Sequence, residues 1–198
     1  MTKDKSFIAK ARQEQIIQAV IEVLNEIGYV QTSLAKIAKQ AKISTGLVSY
    51  HFSDKEDLIN HTLMYLMTVQ VNYIKEHIEA ETGAYQKLTA FIKASLHYQK
   101  QYYANNVAML EIIFNARDGE NTPYYKLVNE GDDPIYVMLE KILAQGQQEQ
   151  VFAAELQPKT VSILINGAIG ESMLLQNETF DMEGYQAELM KMVTKVVK

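Results

Sequence analysis

The run STGLVSYHFSDKEDL, residues 44–58, places a phenol at Tyr50, an imidazole at His51 and an ammonium at Lys55 within six positions. All three donate hydrogen bonds to phosphate oxygens, and the free amides of a helix N-terminus add to them. Just upstream, the hydroxyls of Thr45 and Ser49 can pair with several base atoms, and Leu47 can meet a thymine methyl. Gly46 among them lets the backbone approach another surface closely. Lys55 falls in the first turn of a helix, where a cation opposes the macrodipole; a nearby phosphate reverses that penalty. Read singly, Tyr50 is half-buried packing and His51 a structural histidine. Their position behind Gly46, with Lys55 following, favours phosphate contact, while Phe52 reads as core.

These side chains need short helices to hold them. Apolar Ile16, Ile17, Val20, Val23, Leu24 and Ile27 keep helical spacing over about residues 8–27, and Gly28 stands where that helix should stop. Thr32 and Ser33 are N-cap candidates for a short helix with Leu34, Ile37, Ala38 and Ala41 on its apolar face. Ser44 caps another, ending near His51, with Ile43 in the turn expected to plug into a small core with Ile37 and Val48. Ser53 and Glu56 read as the capping box of a long helix reaching about Ala80. Two short helices joined by such a turn describe a helix-turn-helix, whose second helix enters the major groove. Thr32, Ser33 and Lys36 are placed to add contacts from the first helix, although Lys36 reads equally well as a solvated face.

The block AVIEVLNEIGYVQTSLAKIAKQAKISTGLVSYHFSDKEDL, with Arg12 upstream, resembles the DNA-binding domain of the tetracycline-repressor (TetR) family of bacterial regulators. The resemblance rests on Gly28-Tyr29, Thr32-Ser33, Ile37-Ala38, Ala41, Ile43-Ser44, Gly46, His51-Phe52, Lys55 and Leu58. Lys42 stands where the family often has Gly, and Ser49 where it often has Tyr. The resemblance implies an all-α protein of about nine helices, a homodimer formed through its last two helices, and a palindromic operator. It also implies a small-molecule effector, unidentified here, that alters the spacing of the two DNA-binding heads.

Past Gly83, helical stretches are expected at roughly 85–103, 105–117, 123–147, 159–177 and 183–197, with a bend or break around NEGDDP, residues 129–134. In the penultimate helix Val161, Leu164, Ile165, Ala168 and Ile169 keep helical spacing, and Gly167 and Gly170 permit close approach. Such helices are most often core; beside the family resemblance, a four-helix dimer interface is the better reading. Most Tyr and Met lie beyond residue 60, which suits a pocket for an apolar or cationic ligand. Glu111, within AMLEIIF, is a candidate for facing a ligand cation, against the plainer reading of a solvated or paired carboxylate. Tyr103, Phe114 and Tyr136 are further candidate pocket residues.

Charge divides along the chain. Residues 1–53 hold seven Lys/Arg against four acids, +3, leaving −8 for the remainder of a chain with net charge −5. Lys3, Lys5, Lys10 and Arg12 read as a basic arm or as an ordinary solvated terminus. With no Cys there is neither a disulfide framework nor a thiolate metal site. No apolar run spans a bilayer and no signal-peptide core opens the chain, so a cytoplasmic protein without membrane contact is expected. His61, His77 and His97 form no metal or di-iron motif, and no Gly-rich phosphate loop or nucleophile elbow occurs. No enzyme, cofactor or metal is therefore expected.

The expected protein is all-α. A three-helix DNA-binding domain, residues 1–53, is joined by a long helix to a helical ligand-binding and dimerisation domain, residues 54–198. It is a regulator, a ligand-released repressor of double-stranded operator DNA. Two other classes compete: a helical interaction protein with only non-specific DNA binding, and a cryptic hydrolase or transferase using Glu111 and a His.

Overall fold

The computed structural model describes residues 2–127, 133–175 and 179–198, with side chains from Phe7 onward. Among these residues there are nine α-helices and a 3-10 turn at Tyr124–Lys126, and the only β-type pairing is an isolated bridge between Arg117 and Pro123. The helices are α1 Thr2–Gln31, α2 Leu34–Gln40, α3 Thr45–His51, α4 Lys55–Glu79, α5 Ala84–Gln101, α6 Tyr103–Asn115, α7 Pro134–Gln148, α8 Pro158–Leu174 and α9 Met182–Val197. The side chains of Lys3 and Lys5, most of the expected NEGDDP break and the last expected turn after α8 lie outside the described residues. No described helix is long and apolar enough to cross a membrane.

The chain packs as two compact units. The first comprises residues 1–68 and 104–127, a larger share than the 1–53 expected from sequence, because α6 contributes to the same core as α1. Ile16, Val20 and Leu24 of α1 meet Ile37 of α2, Val48 of α3 and Ile112 of α6, all buried. Full burial of an aliphatic side chain of this kind contributes about 1.5–3 kcal/mol. The second unit comprises residues 69–103 and 128–198. Phe91 and Leu88 of α5, Leu143 of α7, Ile165 of α8 and Leu189 of α9 form its buried centre.

Local chemistry accounts for the helix ends. Gly28, at φ +72° and ψ 170°, breaks the helical backbone where the sequence places a stop, and the last residues of α1, to Gln31, form a separate turn beyond that kink. At the start of α4 the expected Ser53/Glu56 capping box is replaced by one shifted along the chain. Asp54 Oδ1 accepts from Asp57 N at 2.8 Å, and Asp57 Oδ2 accepts from Ser53 N at 2.9 Å. A carboxylate there also complements the helix dipole, which a serine hydroxyl does not. Of the helical stretch expected over 123–147 with its bend or break around 129–134, the part before that point is the 3-10 turn, and α7 starts at Pro134, capped by Asp133.

Candidate nucleic-acid interface

The turn between α2 and α3 is closed by both bonds of a Schellman motif. Ile43 N donates to Ala38 O at 3.0 Å and Lys42 N to Lys39 O at 3.1 Å. Lys42 occupies the left-handed position, φ 56°, where glycine carries no Cβ penalty. Gln15 of α1 secures the same turn, its Nε2 donating to Ala41 O at 2.8 Å. Ser33 Oγ accepts from Lys36 N at 3.3 Å and Ser44 Oγ from Leu47 N at 3.2 Å, so each short helix begins on a serine cap. Val48 and Phe52 anchor α3 from beneath.

Above that anchor, α3 presents Thr45, Gly46, Ser49 and Tyr50 to solvent, with Leu47 and His51 half-buried. Tyr50 is 80% exposed and its ring meets only the edge of His51, 5.1 Å away. A Cβ added at Gly46 would meet nothing nearer than Ser44 Oγ, 4.0 Å off. Nothing among the described residues therefore demands glycine there; the space is open.

The remaining expected contacts have partners inside the protein. Thr32 is buried and its Oγ1 donates to Gly28 O at 2.7 Å, so this hydroxyl closes the α1–α2 turn and does not face outward. Lys36 Nζ donates to Gln31 O at 2.8 Å. Lys55 Nζ donates to Thr32 O at 2.8 Å and Tyr29 O at 3.3 Å, and lies 4.2 Å from the centre of the Tyr29 ring. Two ammoniums thus converge on the carbonyl end of α1, which favours cations. The penalty expected for Lys55 at the start of α4 is offset here by protein carbonyls. Burial lowers the Lys55 pKa, and burial, followed by Glu56, raises that of the Tyr29 phenol.

Glu111 is a paired carboxylate, the plainer of its two readings. Its Oε2 accepts from Tyr29 N at 2.8 Å, beside the kink at Gly28, and from Asn115 Nδ2 at 3.2 Å. Glu111 and Phe114 belong to the first unit, Tyr103 and Tyr136 to the second. Phe114 is 62% exposed, Tyr103 exposed and Tyr136 half-buried.

None of these four lines the groove of about 810 Å³ in the second unit between α4, α5 and α9. Its walls include Tyr73, His77, Tyr85, Lys93, His97 and Gln186. Sequence reasoning passed over this set, although Lys93, His97 and Lys100 keep one-face helical spacing.

A family profile described as "Bacterial regulatory proteins, tetR family" matches residues 16–62, and one described as "YsiA-like protein, C-terminal region" matches residues 64–198. The transcriptional regulator BetI of Yersinia pestis is 38% identical over 69 residues, a match spanning 35% of this chain and 35% of BetI. The fatty acid metabolism regulator of Bacillus subtilis is 27% identical over 171 residues, 85% of this chain and 86% of that one. The structure of FadR from Bacillus subtilis in complex with stearoyl-CoA superposes with TM-score 0.78 at 23% identity, covering 93% of this chain and 99% of that one. FadR from Bacillus halodurans gives 0.79 at 21% identity, covering 92% and 94%. With a helix-turn-helix of this geometry inside the matched head and the remaining length matched as well, the chain belongs to the tetR family of bacterial regulatory proteins and is a DNA-binding transcriptional regulator.

Proposed function

We propose that the protein is a cytoplasmic homodimeric repressor that holds a palindromic operator through α3 and leaves it when an acyl-CoA binds. The observation that carries the DNA half is the outward face of α3 above buried Val48. On that face Thr45, Leu47 and Ser49 address base edges, and Gly46 allows close approach. Tyr50, His51 and the Ser33 end of α2 take phosphates. Lys36 and Lys55 act through the end of α1, setting where the motif sits, and Thr32 closes its turn.

The dimer half is supported by an apolar groove of about 270 Å³ between α8 and α9. Leu164 and Met192 on its rim are each 65% exposed, above Ile165 and Leu189. Apolar surface so arranged is what a second pair of the same helices covers in an isologous four-helix contact. The effector class follows from the likeness to the Bacillus subtilis FadR, which is seen with stearoyl-CoA. To empty an operator that is nearly always occupied, the effector must favour the released form by about 5.5 kcal/mol.

Selection of bound fragments from a random DNA pool, at near-physiological salt, tests the reading. An inverted repeat whose binding is lost on adding stearoyl-CoA is the expected result. Enrichment of no sequence, with weak binding that vanishes as salt rises, would leave a non-specific interaction protein.

A further inference from the structure

The groove between α4 and α5 has a chemistry of its own. Tyr73 and His97 stand parallel to within 5°, their ring centres 6.4 Å apart, and His77 tilts against Tyr73 at 4.6 Å. Along α5 the groove is also lined by the small side chains of Ala90 and Ala94, beside Lys93. A second cavity of about 370 Å³ adjoins, sharing His97 and Gln186 and adding Lys100. Lys93, His97 and Lys100 therefore form a stripe at i, i+4 and i+7 along one face of α5, running through both cavities. This stripe lies in a part of the chain that is strongly acidic overall. Lys93 makes no ion pair among the described residues, and neither does Lys100. One carboxylate lines each cavity, Glu81 the larger one with Lys93 and Glu183 the smaller one with Lys100.

Such a line of cations beside aromatic faces matches one ligand shape: a flat base followed by linked phosphates. A ring stacks on Tyr73 and His97, and phosphate oxygens meet Lys93 and Lys100 with charge-assisted bonds. His77 Nδ1 is engaged with Tyr73 O at 2.8 Å, which leaves Nε2 as the ring nitrogen free to turn to the ligand. Gln186 and Thr89 add neutral hydrogen-bonding groups. We infer that this groove binds the adenine-nucleotide diphosphate end of the effector, with Lys93 and Lys100 on its phosphates and Tyr73 against its base. The inference rests on the acyl-CoA reading for the identity of the ligand, while the same chemistry would also admit a free adenine nucleotide.

Isothermal titration with four probes, stearoyl-CoA, unacylated CoA, ADP and stearate, separates these cases. The wild-type protein is compared with Lys93→Ala/Lys100→Ala and with Tyr73→Leu, and thermal melting confirms that each variant is folded. The expected result is that CoA binds the wild type, that the double Lys variant weakens it about tenfold or more, and that stearate and operator affinity are unchanged. Tyr73→Leu weakens CoA and ADP together. If ADP binds as tightly as CoA and both respond to the variants, the groove is a nucleotide site that does not need the pantetheine arm, and the phosphate-and-base assignment stands. CoA that fails to bind, or that binds both Lys variant and wild type alike, overturns it. Release of the operator by stearate alone, with no CoA binding, would overturn the groove assignment and leave a ligand-released repressor intact. Tight CoA binding without any operator release would do the opposite.

Discussion

At the scale of single residues, Gly46 and Lys55 show how conformation and burial separate two roles that look alike in the sequence. Gly46 has open space where a Cβ would go, and it sits inside a helix where alanine is preferred. Gly46→Ala should therefore raise stability by about 0.5–1 kcal/mol in urea unfolding while weakening operator binding in a gel-shift titration. If both quantities rose together, α3 would not approach DNA at that point. Lys55 behaves in the opposite way. Its ammonium bonds two carbonyls at the end of α1, so Lys55→Ala should cost about 1–2 kcal/mol of stability. Tyr50→Ala, from an exposed position, should leave stability within about 0.5 kcal/mol and reduce binding to all sequences alike. Chemical denaturation and gel-shift titration of the pair distinguish a positioning lysine from a contacting tyrosine.

Helices and turns carry the next set of consequences. The α2–α3 turn holds Lys42 in the left-handed region, which costs a residue with a Cβ about 1 kcal/mol or more. Lys42→Gly should recover up to about 1 kcal/mol, and Lys42→Val should lose stability, both read from the urea midpoint. A second helix-end device is the capping of α1 from α6. Removing the carboxylate with Glu111→Ala leaves Tyr29 N–H without its partner and should cost about 1–3 kcal/mol. In the second unit, α5 begins at Gly83 without a side-chain cap of its own, and Glu149 Oε2 serves instead by accepting from Ala84 N at 2.9 Å. That bond, then the one from Gln145, lowers the Glu149 pKa below its ordinary 4.5. A depressed carboxylate contributes stability above that value and loses it as pH falls through the lowered one. Glu149→Gln should flatten this part of the acid unfolding curve; an unchanged curve would show that the cap does not matter.

For the molecule as a whole, the exposed apolar strip on α8 and α9 predicts assembly. Leu164→Glu with Met192→Glu places two carboxylates on the strip without touching the buried Ile165 or Leu189. Sedimentation should then show a monomer at micromolar concentration, and operator affinity should fall because one head reads only half of a palindrome. A variant that stays dimeric would place the contact elsewhere. The same comparison bears on the effector: each copy still carries its own α4–α5 groove, so CoA binding should survive loss of the dimer even as operator binding fails.

How much of this was legible beforehand follows from the range of the interactions involved. Helix positions, the serine caps at Ser33 and Ser44, the buried set of Ile37 and Val48 and the outward face of α3 depend on residues a few positions apart. A chain displays that information locally, and so the family resemblance could be read from a short block. The capping box at α4 was misplaced by one residue because adjacent Ser53 and Asp54 both suit an N-cap, and only backbone geometry chose between them. Lys55 finds Thr32, 23 positions away, and Glu111 finds Tyr29, 82 positions away. Sequence alone specified that each was polar and where along a helix it stood. Which carbonyl or amide it would satisfy was decided only when tertiary packing brought buried backbone groups within reach, since such groups cannot be left without a partner.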